Sequence, residues 1–197
     1  MRSKINSLYK LLLSAYGISM FSEWVLLPIY AVFVQKIGGD VLDASWAMAV
    51  FLISQWIFTI IIQRLKRTYR HHITMMIIGW AIWLIGIALY LAVSSTRMLF
   101  LTQILVAMGN AIADPIFDKE LSEHTDQNNK LFERGLREGM QDIISWIAAI
   151  LWGLIAVFLW FKTLILFMIL MATISLIIIL VYVKKYKQSA QKAQISN

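Results

Sequence analysis

Between Asp118 and Gly135 the chain reads DKELSEHTDQNNKLFERG, the only sizeable polar loop in its 197 residues. Apolar runs lie on both sides of it. Before it, apolar runs fall at about 8–35, 42–62, 73–93 and 98–117; after it, at about 139–161 and 163–183. Each is close to the roughly 20 residues that a helix needs to cross a bilayer. The polar stretch thus divides an all-α, six-span membrane protein into two blocks, 7–93 and 98–183, with a tail at 184–197.

The composition supports this. Hydrophobic residues make up 60% of the chain and charged residues 15%, against about 45–50% and 25% in soluble proteins. Disorder is excluded, and the composition argues against an ordinary soluble domain. The first run contains Glu23 and lacks an A-x-A cleavage pattern, so it reads as a retained helix, not a signal peptide. Turns are marked by Gly38-Gly39-Asp40, Ser94-Ser95-Thr96-Arg97 and Lys162-Thr163.

The cations orient the chain. Arg2, Lys4, Lys10, Arg64, Lys66, Arg67, Arg70, Lys119, Lys130, Arg134, Arg137, Lys184, Lys185, Lys187 and Lys192 all fall on one side. Only Lys36, Arg97 and Lys162 fall on the other, a division of 15 to 3. Cationic loops stay in the cytoplasm, so both termini are expected inside, in a plasma or inner membrane. The net charge of +7 then reports topology, and no nucleic-acid partner is implied. The basic runs at 64–72 and 184–187 are expected to touch lipid headgroups.

The acids fall unevenly. The first, fourth and fifth spans carry Glu23, Asp114, Glu138 and Asp142, while the third and sixth carry no charge within the membrane and are expected to face lipid. The second carries Ser45, Gln55 and Thr59 on one face. Both prolines, Pro28 and Pro115, lie late in the first helix of a block. Paired proline-interrupted helices in corresponding halves point to inverted repeats with a site between them.

Leu27-Pro28-Ile29-Tyr30-Ala31-Val32-Phe33-Val34 runs into Gly38-Gly39, and Gln103 to Gly109 leads into Pro115, the acidic loop and Arg134-Gly135. In these features the chain resembles one half of a major facilitator superfamily transporter. The resemblance implies helices one and four around a cavity, three and six outside. The loop Gln63 to His72 keeps the family's positive charge without its glycines and aspartate. Within 98–117 the fourth span lacks the family's usual arginine near its outer end, and the fifth lacks the family's proline–glycine signature.

Glu23 lies about 12 residues into the apolar part of the first span, counted from Leu11, so roughly 18 Å deep at 1.5 Å per residue. Tyr16, Ser19, Glu23 and Tyr30 form one polar stripe with no cation at that depth. A carboxyl desolvated without a counter-ion stays neutral until a cation arrives. That suits proton coupling, recognition of a cationic solute, or a structural hydrogen bond to a neighbouring helix. Gln103, Asn110 and Asp114 share a face of the fourth helix. Asn110 is placed to coordinate solute. Asp114 either does the same, bonds backbone freed by Pro115, or pairs with Arg134 or Arg137. Glu138 and Asp142 complement the start of the fifth helix or latch a gate with Arg134 and Arg137. Trp24 and Trp56, beside Glu23 and Gln55, offer faces to a cation.

The candidate solute or proton site is therefore Glu23, Ser19, Tyr30, Gln55, Asn110 and Asp114, and the candidate gate Arg134, Arg137, Glu138 and Asp142. No cysteine is present, which removes disulfides and zinc–thiolate sites. Nor is there an H-E-x-x-H, G-x-S-x-G or Walker pattern. No cofactor, metal or enzymatic activity is expected. Half a transporter needs another half, so the expected partner is a second copy in parallel, giving alternating access for a small amphipathic solute. The alternative is a six-helix capture or accessory subunit of an energy-coupled importer.

Overall fold

The computed structural model describes residues 7–25, 29–64, 72–125, 130–158 and 160–195, without the side chains of 130, 156, 157 and 189–195. Pro28, the basic run 65–71 with His71, and Arg2 and Lys4 lie outside the described residues. So do the side chains of Lys130 and Lys192.

Seven helices and no strand occur among the described residues. They are α1 (Ser7–Glu23), α2 (Tyr30–Lys36), α3 (Val41–Arg64), α4 (His72–Leu89), α5 (Thr96–Glu123), α6 (Lys130–Phe158) and α7 (Phe161–Ile195). Five of them, α3 to α7, are long and apolar enough to cross a membrane. The expected first span contains α1 and α2, with residues 26–28 between them outside the described residues. The 17 described residues of α1 account for about 25 Å of helix. The expected central loop is also mostly helical, because α5 continues to Glu123 and α6 begins at Lys130. Likewise α7 carries on through the expected tail to Ile195.

Local chemistry sets the ends. Gly38 takes a φ of +86° in the turn after α2, a conformation costly for side chains with a Cβ. Asp40 and Asp43 then bond each other's backbone N–H reciprocally, at 2.8 and 3.0 Å, and start α3. Ser95 caps α5 by accepting from the Met98 N–H.

Packing is organised around α1, α4, α5 and α7. The tightest seam joins α4 to α5. A Cβ on Gly79 would stand 2.8 Å from the Ala113 nitrogen, and one on Gly109 2.5 Å from the Trp83 nitrogen. Missing side chains let the two backbones meet, as small residues do in membranes. The seam between α1 and α7 uses hydroxyls instead. Ser22 donates to the Met168 carbonyl at 3.0 Å, and Ser175 to the Ala15 carbonyl at 2.7 Å. Further contacts join α3 to α5, α1 to α6, α4 to α7 and α1 to α5.

Within the single chain the third and sixth spans, expected to face outward, are not the most exposed helices. α4 buries Met76, Gly79, Trp80, Trp83, Gly86 and Ile87, and α7 buries a similar share, whereas α3 buries only Ala44 and Ala47. α6 is nearly as exposed as α3. An absence of charge does not distinguish a lipid-facing helix from one enclosed by equally apolar neighbours.

Candidate functional site

A central cavity of about 300 Å³ lies among α1, α3, α4, α5 and α6. α1 contributes Tyr16, Ser19, Met20 and Glu23, and α3 contributes Phe51 and Gln55. α5 presents Asn110, Asp114, Phe117 and Asp118, successive positions on one helical face. Glu23 is the last residue of α1, at the negative end of the helix dipole. Asn110 hydrogen-bonds its carboxyl, and Asp114 is close enough to act on it electrostatically. Gln55 donates to Asp114 at 3.3 Å. Ser19 is occupied by its own helix, donating to the Tyr16 carbonyl at 2.8 Å.

The walls are aromatic. Tyr16 stacks on Phe117 with ring centres 5.7 Å apart, and Trp80 meets Trp83 edge-on at 5.4 Å. Trp80 is buried with its indole N–H unpaired, a donor without an acceptor at the cavity wall. Among the described lining residues one cation stands with three carboxyls. Arg137 of α6 donates to Asp118 at 2.6 Å and lies over the Tyr16 ring, 4.9 Å from its centre.

Two further spaces adjoin. Towards the Tyr90 end of the bundle lies a cavity of about 180 Å³, lined by Tyr30, Tyr90 and Gln103, with Gln103 donating to the Tyr30 hydroxyl. It shares Glu23, Phe51, Trp83 and Asn110 with the central cavity. Towards the other end lies a polar vestibule of about 410 Å³ that includes Arg134 and Glu138, and shares Asp118 and Arg137 with the central cavity. Glu23 and the Arg137–Asp118 pair therefore stand at the two junctions.

The expected site residues are thus brought together, with Ser19, Glu23, Gln55, Asn110 and Asp114 in one cavity and Tyr30 in the next. The expected gate residues are not joined to each other across helices. Arg134 pairs with Glu138 one turn along α6 at 2.9 Å, both well exposed. Asp142 is exposed and lines none of these spaces. Trp24 and Trp56 are not at the central cavity either; Trp56 is 67% exposed.

Sequence reasoning missed Asp118, which it placed in a loop, and the Trp80–Trp83 wall. Gly79 and Gly86, seven apart around those tryptophans, were the available signal. It also missed Glu120, whose fully buried carboxyl accepts from Tyr182 and meets His72 Nε2 at 3.0 Å, tying together α4, α5 and α7.

A search of curated proteins finds no match to the chain. The sequence profile of the Major Facilitator Superfamily matches residues 12–196. On that match, which covers nearly the whole sequence, the chain belongs to the major facilitator superfamily.

Proposed function

We propose that the chain is a secondary transporter for a small amphipathic cation, built as a parallel homodimer of six-span halves with both termini in the cytoplasm. The observation that carries the solute class is the central cavity, where Glu23, Asp114 and Asp118 face a single guanidinium between aromatic walls. A monocation placed near Glu23 meets two carboxyls and the negative end of α1. Ring faces within about 6 Å of such a charge each contribute about 0.5–2 kcal/mol. Asn110, Gln55 and Ser19 supply polar contacts, and Glu23 is the coupling carboxyl if protons drive the cycle.

The repeat is supported by the pattern of helix contacts. Let α1 with α2, α3 and α4 exchange with α5, α6 and α7. The α4–α5 seam then maps onto α7–α1, and α3–α5 onto α6–α1, while α4–α7 and α1–α5 map onto themselves. Those pairs fit an inverted repeat, whereas the α2–α3 and α6–α7 contacts have no counterpart of similar extent. The dimer is supported by α3 and α6, which flank the cavity and expose Trp46, Ile53, Trp56, Trp146, Ile150 and Leu154. The gate role of Arg134, Arg137, Glu138 and Asp142 belongs to the same reading, with Arg137 at its centre.

Proteoliposomes containing the protein alone should accumulate ethidium against a pH gradient, and Glu23→Gln should abolish this. Unchanged flux in Glu23→Gln removes Glu23 as the coupling group. Binding of an organic cation by the chain without flux favours a capture subunit. Mass determination in mild detergent, paired with cross-linking in native membranes, tests the dimer; a monomer under both conditions overturns it.

A further inference from the structure

The start of α6 is held to the bundle in an unusual way. From Leu131 to Asp142 only Glu133 is buried; Leu131 is 89% exposed and Phe132 66%. A Cβ on Gly135 or Gly139 would have nothing within 4 Å. The contacts that fix this arm are largely polar. Tyr9 donates to the Glu133 carbonyl at 2.9 Å, Tyr16 to Gln141 at 2.8 Å, and Arg137 to Asp118 at 2.6 Å. Beyond the arm the helix is anchored by apolar packing, including buried Ala148 and Trp152, the latter against Phe21. One end of α6 is therefore fixed, and the other is tied by hydrogen bonds to the cavity's own lining.

We propose that this arm is a movable wall of the central cavity, latched by Arg137 on Asp118 and released by the cargo's positive charge. The inference rests on the cationic reading of the site and adds how the charge is used. Arg137 and Asp118 line both the central cavity and the vestibule, so a solute passing between these spaces meets the pair. An arriving cation does two things there. It competes for the Asp118 carboxylate, and it repels the guanidinium that it displaces. Both act to free the arm. An anionic solute draws Arg137 inward and leaves the latch closed, so the same pair discriminates by charge sign. The two glycines weaken the arm's helix by about 1 kcal/mol each relative to alanine, which favours motion at this end.

The chain contains no cysteine, so spin labels can be attached at Leu131→Cys on the arm and Glu123→Cys on α5. Distances between them are measured in nanodiscs with and without tetraphenylphosphonium, and binding of that cation is measured by equilibrium dialysis on the same samples. The latch requires a longer distance when the cation is bound. Arg137→Gln and, independently, Asp118→Asn should show the longer distance with no cation present. Arg137→Gln should also bind the cation about 3- to 10-fold tighter, because a like charge is gone, and retained binding shows that the variant is folded. If the parent binds the cation and its distance does not change, the latch is overturned and the cationic reading stands. If the parent does not bind the cation, the cationic reading fails and cargo-driven release fails with it. If the distance is unchanged in both variants, the pair does not hold the arm.

Discussion

Adding one methyl group at Gly109 should destabilise the protein, whereas adding one at Gly135 should stabilise it. At Gly109 the new Cβ meets the Trp83 nitrogen at 2.5 Å and its Cα at 2.7 Å, where ordinary contact begins near 3.4 Å. These atoms are backbone, so no rotamer change relieves the clash, and α4 and α5 must separate by roughly 0.9 Å. A radial gap of about 0.5–1 Å forfeits a quarter to a half of each van der Waals contact along a seam. Overpacking of this kind costs about 1–3 kcal/mol, and a clash between two backbones belongs at the upper end. Alanine's helix preference returns about 1 kcal/mol, leaving a net loss of about 2. At Gly135 nothing lies within 4 Å, so only the gain of about 1 kcal/mol remains. For a chain of this size 1 kcal/mol moves Tm by about 2–4 °C. Thermal unfolding in detergent, followed by circular dichroism and by the surviving monodisperse fraction, should show Gly109→Ala about 4–8 °C below the parent and Gly135→Ala about 2–4 °C above it. Shifts of the same sign in both variants, or no shift at Gly109, would refute the seam.

Other substitutions separate the remaining interactions. Glu120→Ala leaves His72 and Tyr182 without the carboxyl they meet and should cost about 1–3 kcal/mol, seen as a lower Tm. Tyr182→Phe should cost less, and a larger loss than in Glu120→Ala would contradict the carboxyl as the hub. Ser22→Ala and Ser175→Ala each remove one hydroxyl bond between α1 and α7, worth about 0.6 kcal/mol in membranes; a drop beyond about 3 °C for either would contradict that value. Glu23→Gln and Asp114→Asn should each weaken tetraphenylphosphonium binding by about 10-fold or more, equivalent to about 1.4 kcal/mol. Glu123→Gln, on the exposed Lys119 pair, should leave binding unchanged.

The legible part of this protein was its periodicity and its misplaced charge. Glu23, Asn110 and Asp114 announced themselves because a polar side chain in an apolar run has few structural excuses. The sequence could not show that α5 continues past Pro115 to Glu123. The polarity of Asp118 to Glu123 reads as loop, although Asp118 and Glu120 point to partners on other helices. Which apolar helix lies inside was equally hidden. Trp80 and Trp83 carry the same hydropathy whether they meet lipid or a cavity, and only the glycines around them record a close neighbour. Pairing within the gate was undetermined for a simpler reason. Arg134 and Arg137 are three residues apart, and the register of α6 against α5 decides which of them reaches an acid on another helix.

Glu23 borders a cavity on each side, and that has an electrical consequence. A carboxyl reachable from both compartments at once would act as a wire, passing protons down their gradient with no solute moved. Phe51, Trp83 and Asn110, shared by the same two cavities, are then the insulation around the contact. Efficiency would depend on those three side chains more than on the acid itself, and Phe51→Ala should short-circuit the protein, collapsing an imposed pH gradient in vesicles without any cargo.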